Sequence, residues 1–127
     1  MRTLNKVLLI GNLTRDPELV ESEKGTKIAK FTLATNRNWN TKEGEKKEQT
    51  DFHNVVAWRG LAEICHEHLK KGSAVMVEGK LKNNSFQDKE GKLKKITEVH
   101  AEEINFITYK KNKNIDELNL VTMEEQP

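Results

Sequence analysis

Residues 50–59 read TDFHNVVAWR, a β-strand pattern with aromatic rings at unusual positions. A strand sends alternate side chains to opposite faces, so Phe52 and Trp58 share one face with Asn54 between them. The other face carries His53, Val55 and Ala57. Rings beside polar side chains are typical of a surface that stacks on nucleobases, because every base has a flat π-face worth roughly 1–3 kcal/mol on an aromatic ring. The alternative for either ring is burial in the core or in a contact between subunits.

A short helix and two more strands follow this stretch. Residues 61–69 place their larger apolar side chains on one helical face, and Gly72 fits the end of the helix. That face carries Leu61, Ile64, Cys65 and Leu69. From Ser73 to about Phe86 the chain alternates as a fourth strand, with four residues directed inward. They are Val75, Val77, Gly79 and Leu81. A turn at residues 88–91 leads to a fifth strand, Leu93 to about Ile107, whose alternation is less regular.

Two strands precede residues 50–59. The first runs from Leu4 to Leu13 and ends before Pro17, which cannot donate to a ladder. The second runs from Thr26 to Thr35 and is half buried. Residues 36–49 are polar or charged except for Trp39 and Gly44, which predicts a long loop or a protruding hairpin. Long loops in compact domains are usually functional.

The order of three strands, one helix and two strands predicts the fold class. We expect an all-β protein: a five-stranded OB-fold Greek-key barrel (the oligonucleotide/oligosaccharide-binding type) with one short α-helix between strands three and four. A five-stranded barrel of the SH3 type is the structural alternative. It offers no natural place for a helix of about nine residues before the penultimate strand.

Composition and charge limit the domain organisation. Hydrophobic residues make up 35% of the 127, which predicts one domain with a small core and much polar surface. The net charge is only +2, but the first 113 residues hold all 22 lysines and arginines and all but four of the 20 acidic residues. The body is therefore basic. We expect the folded domain at residues 1–110 and a short acidic, flexible tail at residues 111–127.

Several classes of function and location are disfavoured. Cys65 is the only cysteine, so neither an intramolecular disulfide nor a thiol-based zinc site is expected. His66 and His68 would point to different sides of the helix, and no catalytic triad order or phosphate-loop frame occurs. We expect no cofactor, no metal and no enzymatic activity. The start of the chain lacks the apolar region of a signal peptide, and no run is long enough to cross a membrane, so we expect a cytoplasmic protein without membrane association.

Five blocks in fixed order closely resemble bacterial-type single-stranded DNA-binding proteins, over roughly residues 2–108. The blocks are NKVLLIGNLTRDPEL (5–19), FTLATNRNW (31–39), EQTDFHNVVAW (48–58), LAE (61–63) and LKKGSAVMVEGKL (69–81). The resemblance implies four aromatics that stack on bases: Trp39, Phe52, Trp58 and Phe86. It also implies cations along the DNA path at Arg2, Lys6, Lys47, Lys71 and Lys82. Further candidate cations adjoin the aromatics in sequence: Arg15, Arg37, Lys42, Arg59, Lys80, Lys94 and Lys95. For each of them a solvated surface charge is the alternative.

The resemblance further implies a homotetramer of the bacterial cytosol or nucleoid that coats and protects single-stranded DNA in replication, recombination and repair. His53 would lie at a subunit contact, or else be a hydrogen-bonded core histidine. Family members commonly end in an acidic tip with a final Pro-Phe, on which partner proteins dock. This sequence ends in MEEQP, so replication and repair proteins as partners are in doubt.

Three other functions stay open at this stage. One is a primosome-type accessory of the same fold, a dimer that binds single strand and a helicase. Another is a metal-dependent nuclease that uses Asp51, His53 and His100. The third is an interaction module of this fold that binds no nucleic acid.

Overall fold

The computed structural model describes residues 1–109 and 120–121, and its elements form one sheet that closes on itself. In chain order they are β1 (Val7–Leu13), β2 (Glu18–Glu21), β3 (Lys27–Asn40), β4 (Lys46–Trp58), α1 (Arg59–His68), β5 (Ala74–Gln87), β6 (Leu93–Tyr109) and β7 (Leu120–Val121). The strands are ordered β1-β5-β6-β4-β3-β2, and β1 also pairs with β3, which closes a five-stranded barrel. The predicted fold class is confirmed.

Two short strands were not predicted. β2 pairs with the start of β3 across a turn in which Gly25 has a positive φ of 82°. β7 pairs with the end of β6. Apart from Leu120–Val121, the predicted tail at residues 111–127 lies outside the described residues, and the proposed domain boundary stays a prediction.

Residues 36–49 form a protruding hairpin, the second of the two predicted alternatives. The β3–β4 ladder runs without interruption from Ile28 opposite Trp58 to Asn40 opposite Lys46. At its tip the Thr41 amide donates to the Glu45 carbonyl at 2.8 Å. The hairpin therefore extends two barrel strands outward as a continuous two-stranded ribbon.

The core lies inside the barrel and under α1. Its largest fully buried side chains include Leu33, Val55, Val75 and Val77. Ala62 and Cys65 of α1 are also fully buried, but Ile64 is 46% exposed, so its predicted place on the buried face was wrong. The buried face of α1 is centred between Ala62 and Cys65, and Ile64 lies roughly 130° around the helix from that centre.

A β-bulge in β6 explains the irregular alternation of the fifth predicted strand. Glu78 of β5 pairs with Glu103, but the next residue, Gly79, pairs with Ala101, so Glu102 is an extra residue in β6. Before the bulge the inward-facing residues of β6 therefore have odd numbers, and after it they have even numbers. Val99 before it and Ile104 after it are both buried.

Leu81 lies on the predicted inward side of β5, opposite the buried Val99, but its side chain is not buried. A Cβ atom at Gly79 would collide with the His100 carbonyl oxygen, so only glycine fits there. The β1–β5 ladder stops at the pair of Val7 and Gly79. Leu81 lies beyond this end and is 45% exposed. In the described part of the chain, no helix has the length and the apolar character needed to cross a membrane.

Candidate nucleic-acid interface

The outward sides of β3, β4, β6 and β5 form one continuous surface, called here the open face. Adjacent strands are joined in that order, and Lys30, Val56, His100 and Lys80 are successive cross-strand partners across it. The parallel pairing of β4 with β6 brings the fifth predicted strand next to the third. Sequence alternation alone could not reveal this neighbour.

Three of the four predicted aromatics lie on the open face. Phe52 and Trp58 of β4 are 65% and 42% exposed, and Phe86 of β5 is 50% exposed. Val55 and Ala57, on the other side of β4, are buried as the alternation predicts. The rings are therefore not part of the barrel core. Large exposed rings on one surface are accessible to flat partners.

Trp39 lies on the opposite side of the hairpin from Phe52. The ladder between them is unbroken, with Trp39 opposite Lys47 and Phe52 opposite Ala34, so odd and even residues keep to opposite sides. The Arg37 guanidinium lies 5.8 Å from the centre of the Trp39 ring. Three stacking candidates thus share one surface, and the fourth belongs to the back of the hairpin.

The centre of the open face carries a polar cluster that sequence reasoning did not assign to the site. The His100 and Trp58 rings lie 6.0 Å apart between centroids at an interplanar angle of 39°. Asn84 Nδ2 donates to Glu98 Oε1 at 2.7 Å, and His100 Nε2 lies 3.4 Å from the same oxygen. The Glu98 and His100 side chains are only 16% and 14% exposed. Finding this cluster requires the β4–β6 pairing and the register of β5 against β6.

Several cations surround the open face. Lys80 and Lys82 of β5 lie on it, and Lys94 is the cross-strand partner of Phe86. Arg15 lines a cavity of about 300 Å³ together with Lys30, which was not among the predicted residues. The alternation of β3 already indicated that Lys30 is exposed, but not that it faces the same way as Trp58. Cationic side chains beside exposed rings are the combination that single-stranded nucleic acid requires.

Three other predicted cations form surface ion pairs. Lys6 Nζ lies 3.5 Å from Glu78, Arg37 Nε 2.9 Å from Asp51, and Lys47 Nζ 3.3 Å from Glu45. Exposed ion pairs contribute only about 0–1 kcal/mol, so a phosphate can replace the carboxylate at little cost. These residues therefore remain available for an anionic ligand.

The remaining predicted cations lie away from the rings or at the rim. Lys71 follows α1, and its backbone amide donates to Asp16, which lines the same cavity as Arg15. Arg59 begins α1 in the left-handed region, with a φ of 58°, directly after Trp58. Arg2, Lys42 and Lys95 are exposed on the N-terminal segment, the hairpin tip and β6 respectively. Lys95 points away from the side that carries Phe86.

The ligands proposed for a nuclease do not converge. Thr35 Oγ1 lies 2.9 Å from His53 Nε2, on the side of the ribbon that also carries Asp51. His100 lies on the open face, opposite both. Within the described ranges, no group of three or more potential metal ligands occurs. Burial raises the pKa of the Cys65 thiol to about 12, which leaves it protonated and unreactive at neutral pH.

The comparisons with known proteins identify one family. The family model described as "Single-strand binding protein family" matches residues 4–107. The chain is 43% identical over 115 residues to "Single-stranded DNA-binding protein 1" of Xylella fastidiosa, covering 90% of this chain and 85% of the relative. It is 46% identical over 99 residues to "Single-stranded DNA-binding protein 1" of Chlorobaculum tepidum, covering 77% of this chain and 61% of that relative.

A solved structure resembles the whole barrel. It is entitled "Plasmodium falciparum SSB complex with ssDNA" and aligns with a TM-score of 0.79 at 30% identity. The alignment covers 85% of this chain and 98% of that one.

Proposed function

This chain belongs to the single-strand binding protein family, and we propose that it coats and protects single-stranded DNA during replication, recombination and repair. Binding requires no particular base sequence, because stacking rings and phosphate contacts are common to all nucleotides. The observation that carries the proposal is the open face, on which Phe52, Trp58 and Phe86 are all exposed.

The cations of the open face supply the second part of binding. Lys30, Lys80 and Lys82 lie between and beside the rings, at positions from which flexible ammonium groups reach a backbone whose bases stack on those rings. Each phosphate they neutralise releases condensed counterions, so the affinity falls as salt rises, with a slope near −0.7 per phosphate. Arg15 and Lys71 extend this cationic path past β1 and α1. The hairpin cations and Trp39 extend it along the back of the ribbon.

We also propose how the barrel is used. It acts as a homotetramer without catalytic activity in the bacterial cytoplasm, with His53 at a subunit contact, as the family resemblance implies. Leu8 and Ile10 on β1 are 58% and 48% exposed. These exposed apolar side chains support an association of subunits through β1. Residues 1–110 form the DNA-binding domain, and residues 111–127 carry four acidic side chains against two lysines.

Titration of the intrinsic tryptophan fluorescence tests the DNA-binding proposal. Oligo-dT and duplex DNA of equal length are added at two salt concentrations. We expect strong quenching by oligo-dT alone, part of which persists at high salt because stacking is not screened. Equal responses to both, or no response, would overturn the proposal and favour an interaction module of this fold.

A further inference from the structure

A carboxylate occupies the middle of the open face, where a phosphate-binding surface would be expected to be cationic. Glu98 is on β6, directly between Asn54 of β4 and Lys82 of β5. Its side chain is 16% exposed, so the charge is held close to the surface of the sheet. An anion at this place repels phosphates, which are the groups that the surrounding lysines attract.

The carboxylate is held in a fixed orientation with one oxygen occupied. Asn84 donates to Oε1, and the His100 ring nitrogen lies beside the same oxygen. Among the hydrogen bonds within the described residues, none reaches Oε2. No buried side-chain oxygen of the described residues lacks a partner, so Oε2 is accessible from solvent and free to accept from a ligand. Hydrogen bonds to charged groups are worth roughly 1.5–3 kcal/mol.

Glu98 also lines a cavity. The cavity has a volume of about 300 Å³ and an opening to solvent. Its walls include Trp58, His100, Lys30, Lys82, Asn84 and Glu98. A flat ring that stacks on Trp58 within this cavity would place its edge toward the carboxylate and the Lys82 ammonium. The cavity therefore combines a stacking surface with one acceptor and at least one donor.

We propose that this cavity is a subsite for a single nucleobase and that the Glu98 carboxylate favours bases with an exocyclic amino group, such as cytosine, over thymine and uracil. This inference rests on the proposed function of the same surface. A carboxylate accepts from the cytosine N4 amino group, which is an established pairing in nucleic-acid recognition. The Lys82 ammonium then donates to the neighbouring acceptors, N3 and O2 of the base.

Uracil and thymine present the opposite arrangement of donors and acceptors at their Watson–Crick edge. Their only donor, N3–H, lies between two carbonyl oxygens, O4 and O2, which a carboxylate repels. A uracil or thymine base bound in this subsite would place a carbonyl oxygen next to the Glu98 carboxylate. The preference is a bias within sequence-tolerant binding, since the stacking and phosphate contacts elsewhere are the same for all bases.

The test compares two homopolymers whose bases differ only at the Watson–Crick edge. Affinities for oligo(dC) and oligo(dU) of equal length are measured at pH 8, by tryptophan quenching and at elevated salt, which weakens the phosphate contribution. The protein is the full chain, as the wild type, Glu98→Gln and Glu103→Gln. Glutamine has the shape of glutamate, and its carbonyl oxygen still accepts from Asn84. Glu103→Gln removes the same charge from β6 outside the cavity.

The measured quantity is the dC/dU affinity ratio, since strand stiffness and general charge effects cancel between variants. We expect Glu98→Gln to lower this ratio about tenfold, because the lost bond is to a charged group. Glu103→Gln should leave the ratio at the wild-type value. Equal ratios in all three proteins, with tight binding retained, would overturn the inference alone. Binding of neither strand by the wild type would overturn the proposed function together with it.

Discussion

Trp58 and His100 face each other across adjacent strands with their ring centroids 6.0 Å apart and their planes tilted by 39°. Trp58 ends β4 and His100 lies in the middle of β6, and the two strands pair in parallel. A stacking ring and a polar cluster therefore meet at one point of the open face. The Trp58 ring can stack on any base without selecting among them. The polar cluster places hydrogen-bonding groups next to the edge of a base stacked on that ring.

Removal of the Trp58 ring should weaken binding to single strand. Stacking is worth roughly 1–3 kcal/mol per base, so Trp58→Ala should lower the affinity for oligo-dT between about fivefold and 150-fold. Ile64→Ala is the control, since Ile64 is a similarly exposed apolar residue on α1. The affinities are measured by anisotropy of a labelled oligonucleotide. Unchanged affinity in Trp58→Ala with a normal melting temperature would contradict a stacking role.

Lys30 should contact a phosphate although sequence reasoning did not select it. Lys30→Gln should weaken binding of all sequences alike and reduce the magnitude of the log–log salt slope by about 0.7, the value for one phosphate of a single strand. Lys27→Gln removes the same charge from the same strand, where the Lys27 ammonium is 3.0 Å from Glu63 beside α1. Isothermal titrations at four or more salt concentrations give the slopes. Identical slopes in the two variants would assign Lys30 to the solvated surface.

The sequence predicted the individual strands and the helix better than it predicted which strands pair and in what register. Alternation in residues 50–59 correctly separated buried Val55 and Ala57 from exposed Phe52 and Trp58. Period-two patterns carry this information locally, since each residue's face depends only on its position along the strand. The polar cluster around Glu98 was missed because it depends on which strands pair and in what register.

Two further features could not be predicted for the same reason. Leu81 continues the inward alternation of β5, but β1 begins at Val7 opposite Gly79, so no residue of β1 pairs with this part of β5 and Leu81 stays 45% exposed. The irregular pattern of β6 comes from a bulge whose extra residue cannot be recognised without its partner strand. Trp39 was correctly placed in a polar, protruding segment. Its side of the hairpin became clear only from the unbroken β3–β4 ladder.

Gly79 should be essential for the stability of the barrel. A Cβ atom there would collide with the His100 carbonyl, which belongs to the paired strand and cannot move without breaking the ladder. Gly79→Ala should lower the free energy of unfolding by more than about 2 kcal/mol, as overpacking of this kind does. Gly60→Ala is the matched control: Gly60 lies in α1 with no neighbour within 4 Å of the added Cβ, so the change should stabilise the protein by roughly 0.5–1 kcal/mol. Urea denaturation followed by circular dichroism measures both, and a Gly79→Ala variant as stable as the wild type would contradict the close approach.

The buried thiol of Cys65 should make the barrel less stable as the pH rises into the alkaline range. Burial raises the pKa of its thiol to about 12, whereas an unfolded thiol ionises near its ordinary value of about 8.5. Above that value the unfolded state loses the proton first, so unfolding becomes more favourable as the pH rises toward 12. The contribution of the buried neutral thiol is thus fully present below about pH 8.5 and declines above it. Wild type and Cys65→Ala are compared by urea denaturation between pH 7 and pH 10.5. We expect the difference in their free energies of unfolding to be constant up to about pH 8 and then to shrink in favour of the alanine variant by up to about 1.4 kcal/mol per pH unit. A difference that stays constant over the whole range would mean that the thiol ionises in the folded protein as readily as in the unfolded chain.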